Sequence, residues 1–338
     1  MDTRKNPLSI KDLANLSGVS IATVSRVLNN KGGYSKETEE RILALAKSFG
    51  YVSNMAAKTL REARSRTIGL IVPNIINEFF STLAYHIETC MSEQGYSVFI
   101  CNSDNQTQKE KEYFRSLASK GVDGILCISG LNELTQDIIY RDIPIVCIDR
   151  LPKTNRQIPQ ISNDDMHIAY IATKHLLDKG CRHILLVVGY SAAYSSKGRF
   201  DGYCQALAEY GLPLDKNYIL KRPGREAAQI EAEIMVYQFL ASSYPVDGIF
   251  ATSDSTALGA LYALKRADRR VPEDIRLTGF DNMLYSRLAT PPISSVERHP
   301  ELLALKGCEI LLNLIQGHEP QELLTIVPAE FVERESSR

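Results

Sequence analysis

A chain of 338 residues, 44% apolar and 23% charged, has the composition of a soluble globular protein with about two or three domains and a core that needs no disulfide or metal staple. The net charge of −1 excludes a chain that is strongly basic or acidic throughout. No apolar run reaches the roughly eighteen residues of a membrane span, and the polar N-terminus has no secretory core, so a cytoplasmic protein without a membrane partner is expected. Seven cysteines include no CxxC pair and read as reduced thiols, and six histidines show no metal-ligand spacing, so neither cofactor nor metal is expected. The small net charge hides an asymmetry. Residues 1–66 carry 12 Lys/Arg against 6 Asp/Glu, a balance of +6, and the rest carries 27 against 34, a balance of −7. A basic module on an acidic body suits a nucleic-acid reader joined to a sensor, although a solvated surface can look the same.

The chain opens on SIKDLANLSGVSIATVSRVLNN, from Ser9. Ser9 and Asp12 predict a capped first helix with Ile10, Leu13, Ala14 and Leu16 on its apolar face. Gly18 predicts the turn, because glycine takes backbone angles that other residues avoid. Ser20 caps a second helix, Ile21 to Leu28, with Val24, Val27 and Leu28 inward. Two such helices make a helix-turn-helix whose second member fits the DNA major groove, or a generic helical hairpin. A third helix follows, capped by Ser35 and striped by Ile42, Leu45, Ala46 and Phe49. Residues 51–66, YVSNMAAKTLREARSR, read either as a charged linker or as a short hinge helix from Asn54 that folds only on DNA and wedges Leu60 into the minor groove.

From Arg66 short apolar strands alternate with helices. Strands are expected at Ile68–Val72, Ser97–Cys101, Gly124–Ile128, Ile145–Ile148, Ile184–Val188, Gly248–Ala251 and Leu277–Phe280. Helical patterns lie between them, such as Phe80–Gln94, Gln108–Lys120, Asp165–Lys179, Gly198–Tyr210, Ala227–Ser242 and Thr256–Arg266. This alternation predicts an α/β protein with doubly wound parallel sheets. Val122-Asp123-Gly124-Ile125 recurs as Val246-Asp247-Gly248-Ile249, and each copy leads to a later strand ending in aspartate, Asp149 and Asp281. Two similar lobes are expected, their aspartates facing one cleft as ligand groups or serving separately as loop caps.

With VSIATVSRVLNN, SKETEERI, FGYVSNMAAKTLR, VDGILCISG, PIVCIDR, IFATSDSTALGA and LTGFDN in hand, the chain resembles the lactose-repressor/galactose-repressor (LacI/GalR) family of transcription regulators from about Ser9 to about Arg334. The resemblance implies a three-helix headpiece (1–50), a hinge helix (51–66) and a bilobed, periplasmic-binding-protein-like (type I) effector and dimerisation domain (67–338). Its N-lobe would take about 67–164 and 295–322, and its C-lobe about 165–294 and 323–338. It implies a homodimer on pseudo-palindromic double-stranded operator DNA. Ile21, Ala22 and Arg26 match positions that meet base edges, and Thr23, Ser25 and Asn29 match base or phosphate contacts. Ser9, Ser20, Tyr51 and Asn54 match DNA-proximal positions, and Ala57 and Leu60 the hinge pair. Phe79, Phe80, Asp149, Arg150, Ser195, Arg199, Ser253 and Asp281 match effector positions, the effector often being a sugar. The recognition helix is most similar to the catabolite-control branch, which keeps open a regulator governed by a phosphorylated carrier protein. Ile21 and Ala22 depart from the polar or aromatic residues of several relatives, Ser253 stands where sugar binders often have Asn, and no leucine-heptad tail ends the chain.

The residue chemistry fits two sites. Arg26 can donate two hydrogen bonds to a guanine edge while Ile21 and Ala22 meet thymine methyls. Asp149 and Asp281 can accept from sugar hydroxyls, Arg199 can donate a planar fork, and Phe79 or Phe80 can stack on a sugar ring, although Arg199 with Asp281 also reads as a structural ion pair. Enzyme readings fare poorly: no GxGxxG follows a strand, no GxxxxGK[ST] occurs, and Gly189 to Ala193 fails the nucleophile-elbow spacing. A solute-binding protein is a third reading, disfavoured by the DNA module and by the absence of a leader.

Overall fold

The computed structural model describes residues 8–29, 31–49, 51, 64–135, 138–139, 142–189, 194–224 and 226–338, without the side chains of 194–196. The chain forms two compact units that divide between Ser65 and Arg66. Among the described residues no helix is long and apolar enough to cross a membrane.

The first unit holds α1 (Ile10–Ser17), α2 (Ile21–Leu28) and α3 (Lys36–Ser48). Each begins at a serine whose hydroxyl accepts a backbone N–H three residues on: Ser9 from Asp12, Ser20 from Thr23 and Ser35 from Thr38. Asp12 returns the bond to the Ser9 N–H at 2.9 Å, completing a capping box. α1 ends at Gly18, whose φ of 67° is the left-handed value expected of a helix-terminating glycine. Leu13, Ala14, Val24, Val27 and Ile42 form the core. Leu16 does not join it. It is half exposed, and Ser17 is buried in its place, because inward positions on a helix recur three and four residues apart and residue 16 falls off the row 10, 13, 14, 17.

The second unit begins with β1 (Thr67–Val72), α4 (Glu78–Glu93), β2 (Ser97–Asn102), α5 (Thr107–Lys120), β3 (Gly124–Cys127), β4 (Glu133–Leu134), β5 (Ile145–Ile148), β6 (Lys153–Thr154) and β7 (Gln160–Ser162). It continues with α6 (Asp165–Asp178), β8 (Ile184–Val188), α7 (Tyr194–Glu209), β9 (Ile219–Lys221), α8 (Ala228–Leu240), β10 (Gly248–Ala251), α9 (Asp254–Arg266), β11 (Arg276–Thr278), α10 (Leu284–Leu288) and β12 (Ser295–Glu297). α11 (Pro300–Ile315), β13 (Leu324–Ile326) and β14 (Glu330–Val332) complete it. Two parallel sheets result, ordered β13-β7-β5-β3-β1-β2 and β11-β10-β8-β9. The strands β1, β3, β5, β8 and β10 are almost wholly apolar and buried, as strands covered on both faces must be. β2 lies at a sheet edge and leaves Phe99 and Ile100 half exposed.

The repeated VDG motif does the same work in both lobes. Asp123 accepts the Arg66 N–H, and Asp247 accepts the N–H groups of Arg182 and His183. Each carboxylate thereby tethers the start of the strand that pairs with its own.

Three chain passages join the lobes, near Asn163, Arg298 and Val327. Asn163 ties them together, its amide donating to the carbonyls of Arg298 (3.1 Å) and Val327 (3.0 Å). Two expected lobe limits shift here. Residues 295–297 pair with β14 beside the second lobe, where Val296 joins a core with Ile168, Phe250 and Phe280, and β13 pairs with β7 in the first. These strands are three residues long, too short to show a period in the sequence.

Candidate functional site

In the first unit α2 turns Val24 and Val27 inward and leaves Ile21, Ala22 and Arg26 exposed, with Ser25 and Asn29 partly so. These five positions lie on one side of the helix, as spacings of one, four, five and eight residues require. Asn29 turns its amide back to the Ser25 carbonyl at 2.6 Å. Thr23 bonds to the Ser20 hydroxyl at 2.9 Å, so these two hydroxyls close the helix start. Arg26 lies beside Gly33. Tyr51 packs against the headpiece core. Asn54, Ala57 and Leu60 lie outside the described residues.

In the second unit a buried charged cluster spans the lobes. The strand ends deliver it. Asp149 follows β5 and Asp281 follows β11, and both take left-handed backbone angles, φ 70° and 103°. Each N–H is anchored alike, Asp149 to the Ile161 carbonyl at 2.7 Å and Asp281 to the Val296 carbonyl at 3.0 Å. Arg298 lies between them. Its Nη2 donates to Asp149, its Nη1 to Asp281 at 3.4 Å, and its Nε to the Asn163 side-chain oxygen at 3.0 Å. Its guanidinium lies 4.1 Å from the Phe79 ring centre, and the residue is 1% exposed. Arg199 closes the second lobe's side. It donates to Asp165 (3.0 Å) and to the Thr252 carbonyl (2.6 Å), stands 3.7 Å from Asp281 and packs over Phe280 at 3.8 Å.

Burial opposes every charge here, and the partners decide the outcome. For Asp149 burial raises the pKa, but Arg298, Arg199 and Arg150 outweigh it and hold the carboxyl below its usual range. For Asp281 burial wins over Arg199 and Arg298, and the carboxyl is pushed up to about 6. Burial also raises Asp165 against the pull of Arg199. Asp254, at the start of α9, is pushed up to about 7 by burial and then by the charge of Asp281. It accepts from Ser295 (2.6 Å) and from the Met283 N–H (2.7 Å). Gly279 makes room for it, since a Cβ there would lie 2.3 Å from Asp254 Oδ1.

Of the residues matched to effector positions, Asp149, Arg199 and Asp281 converge. Phe79 is buried, with Arg298 against its ring. Phe80 is partly buried and stands 5.4 Å from the Arg150 guanidinium. Arg150 lies 4.0 Å from Asp149 and is buried near Gly130 and the buried carboxylate of Glu110. The Ser253 hydroxyl caps α9, accepting the Thr256 N–H at 3.3 Å. Ser195 lies in α7, its side chain outside the described residues. Arg298, Asn163, Asp165 and Asp254 are absent from the sequence-based set. Asn163-Asp164-Asp165 reads as a helix cap, and Asp164 does cap α6, but this leaves Asp165 for Arg199. Arg298 gives one signal, a charged residue beside His299-Pro300 at a helix start after SSVE.

The comparisons decide the family. The model described as "Bacterial regulatory proteins, lacI family" matches residues 9–54, and that of a "Periplasmic binding protein-like domain" matches residues 173–337. A "Ribose operon repressor" of Halalkalibacterium halodurans is 32% identical over 331 residues, 98% of this chain and 97% of the relative. The chain belongs to the lacI family. Another member, the "HTH-type transcriptional repressor PurR" of Vibrio cholerae, is 31% identical over 97% of both chains. A lac repressor dimer bound to operator and the anti-inducer ONPF matches in fold at a TM-score of 0.85 and 23% identity, covering 98% of this chain and 99% of that one. A LacI-type regulator from Alkaliphilus metalliredigens, complexed with D-xylulofuranose, is 29% identical at a TM-score of 0.70, covering 81% and 99%. This lacI-family chain is therefore a DNA-binding transcriptional repressor, with relatives that are regulators and not enzymes.

Proposed function

We propose that the protein works in the cytoplasm as a homodimer that represses transcription from a pseudo-palindromic operator and is controlled by a carbohydrate held between the lobes of its second unit. The row of exposed Ile21, Ala22 and Arg26 with partly exposed Ser25 and Asn29 on α2 carries the DNA half of this reading. Such a row is short enough for one half-site, and two-fold symmetry supplies the second. Half-exposed Phe99 and Ile100 on the edge strand β2, with exposed Leu284 and Leu288, provide apolar surface for a second copy. Tyr51, Asn54, Ala57 and Leu60 are assigned to the hinge and its DNA contacts by their match to the family.

For the effector half, Asp149, Arg199, Asp281 and Phe79, with Phe80, Arg150 and Ser253, supply acceptors, fork donors and aromatic faces, and Ser195 is assigned to the site by its match to the family. The D-xylulofuranose and cellobiose complexes of two relatives support a sugar. Selection of bound sequences from a random duplex library tests the DNA half. Enrichment of a two-fold motif is expected, and recovery of unenriched sequence would contradict it. Thermal shift against a sugar panel tests the effector half, because a ligand raises the melting temperature by mass action.

A further inference from the structure

We infer that Asn163 is the positioning residue of the lobe junction: its side-chain amide aims Arg298 at the two cleft aspartates and sets the angle between the lobes.

The two lobes present their aspartates in the same way. The Asp149 N–H donates to the Ile161 carbonyl at 2.7 Å, and the Asp281 N–H to the Val296 carbonyl at 3.0 Å. Each aspartate thus hangs from one passage between the lobes. Two residues further along those passages stand Asn163 and Arg298, and these two residues bond each other. The Asn163 oxygen accepts Arg298 Nε at 3.0 Å, and the Asn163 amide donates to the Arg298 carbonyl at 3.1 Å. Asn163 therefore fixes both the backbone and the side chain of Arg298. The same amide donates to the Val327 carbonyl at 3.0 Å, and the Val327 N–H donates to the Ser162 carbonyl at 2.8 Å, so the third passage is bolted to the first.

A primary amide suits this place because it puts one acceptor and two donors in one plane. A carboxylate would set an oxygen against two carbonyls, and an apolar side chain would leave all three partners unbonded. Asn163 is 3% exposed, so water cannot replace any of its bonds unless a passage moves. With Nε held, Arg298 has Nη2 for Asp149 of the first lobe and Nη1 for Asp281 of the second. A ligand that draws on either aspartate moves Arg298, and Asn163 carries that movement to all three passages. The state of the cleft and the angle of the lobes meet at one side chain, as a hinge requires.

Met283 reports the lobe angle. Its N–H is tied to Asp254 of the second lobe at 2.7 Å, while its side chain lies in the first lobe's core with Phe79 and Leu83. The test labels the six methionine methyls of the full-length protein with carbon-13 and compares nuclear magnetic resonance spectra of the native protein and Asn163→Leu, which keeps the side chain's shape and loses its hydrogen bonds. The Met283 methyl should shift or split, while Met91 in the first lobe's core and Met235 in α8 of the second hold their native positions. Arg298→Lys, which replaces the three-way fork with a single ammonium, should displace Met283 too, and the double variant should displace it no further than the larger single change. An unmoved Met283 overturns the inference, and so does a joint shift of all three methyls, which marks a residue that only holds the fold together. Additive displacement overturns the route through Arg298. If Asn163→Leu fails to fold, Arg298→Lys and the native protein still decide. In the native protein the Asn163 side-chain amide protons should exchange with solvent at least about a hundredfold more slowly than those of exposed Asn313. Exchange at the Asn313 rate would overturn the assignment.

Discussion

Asp254 and Asp281 are buried carboxyls whose charged forms the fold disfavours. Both are buried, and Asp281 raises the pKa of Asp254 further. Their carboxyls are raised to about 7 and about 6 from an ordinary 3.8. The folded chain therefore keeps protons that the unfolded chain has already lost. This part of the stability is fully present below pH 3.8 and is lost as pH rises through about 6 and 7. Asp149 runs the opposite way: its lowered pKa gives stability that is lost only as pH falls below 3.8. Between pH 5 and 8 Asp254→Asn should flatten the pH dependence of the second unit's melting temperature, by an amount on the order of 1 kcal/mol per unit of displaced pKa. Differential scanning calorimetry of both proteins at the two pH values checks this, and an unchanged slope would be the contrary result. At this scale the sequence was only partly readable. Asp149 and Asp281 stand out because each ends an apolar strand. Arg298 and Asp165 do not, because their partners lie 17 to 149 residues away in the chain and leave no local pattern.

The helices of the headpiece answer to a small core. Ile42 is fully buried and is the one residue of α3 in the core of Leu13, Ala14, Val24 and Val27. Ile42→Ala should destabilise the first unit by about 2–5 kcal/mol. Far-ultraviolet circular dichroism should then show an early helical loss, with the second unit's transition unmoved. On α2, Arg26→Ala should keep the headpiece folded and relax preference at one base pair per half-site by about 1–3 kcal/mol. A binding series over single-base operator variants reads this directly, and uniform weakening at every base would assign Arg26 to phosphate instead. These elements were legible because caps, glycine and helical spacing are local. Leu16 was misplaced because one apolar residue beside the stripe is indistinguishable by hydrophobicity from one within it. Strands β7, β9 and β12 to β14 were missed because three residues do not establish alternation.

At the scale of the molecule, alternating strands and helices and the VDG repeat announced two parallel lobes. The lobe limits depended on the passages around Asn163, Arg298 and Val327, whose pairing is long-range and leaves no local pattern. Those passages also connect the two lobes through Arg298, so a ligand that rearranges this residue acts where the lobes join. DNA affinity should fall steeply with salt in the wild type, with a slope set by the number of phosphates neutralised. Lys31→Ala on the exposed surface after α2 should lower that slope by about one if the residue contacts a phosphate. The central claim is that the cleft controls the hold on DNA, and coupling of this kind must be reciprocal. The most direct measurement is the affinity of the carbohydrate that the thermal-shift panel selects, determined by calorimetry with and without saturating operator duplex. Operator should change effector affinity by the same factor by which effector changes operator affinity, whereas equal effector affinity in both titrations would contradict the account.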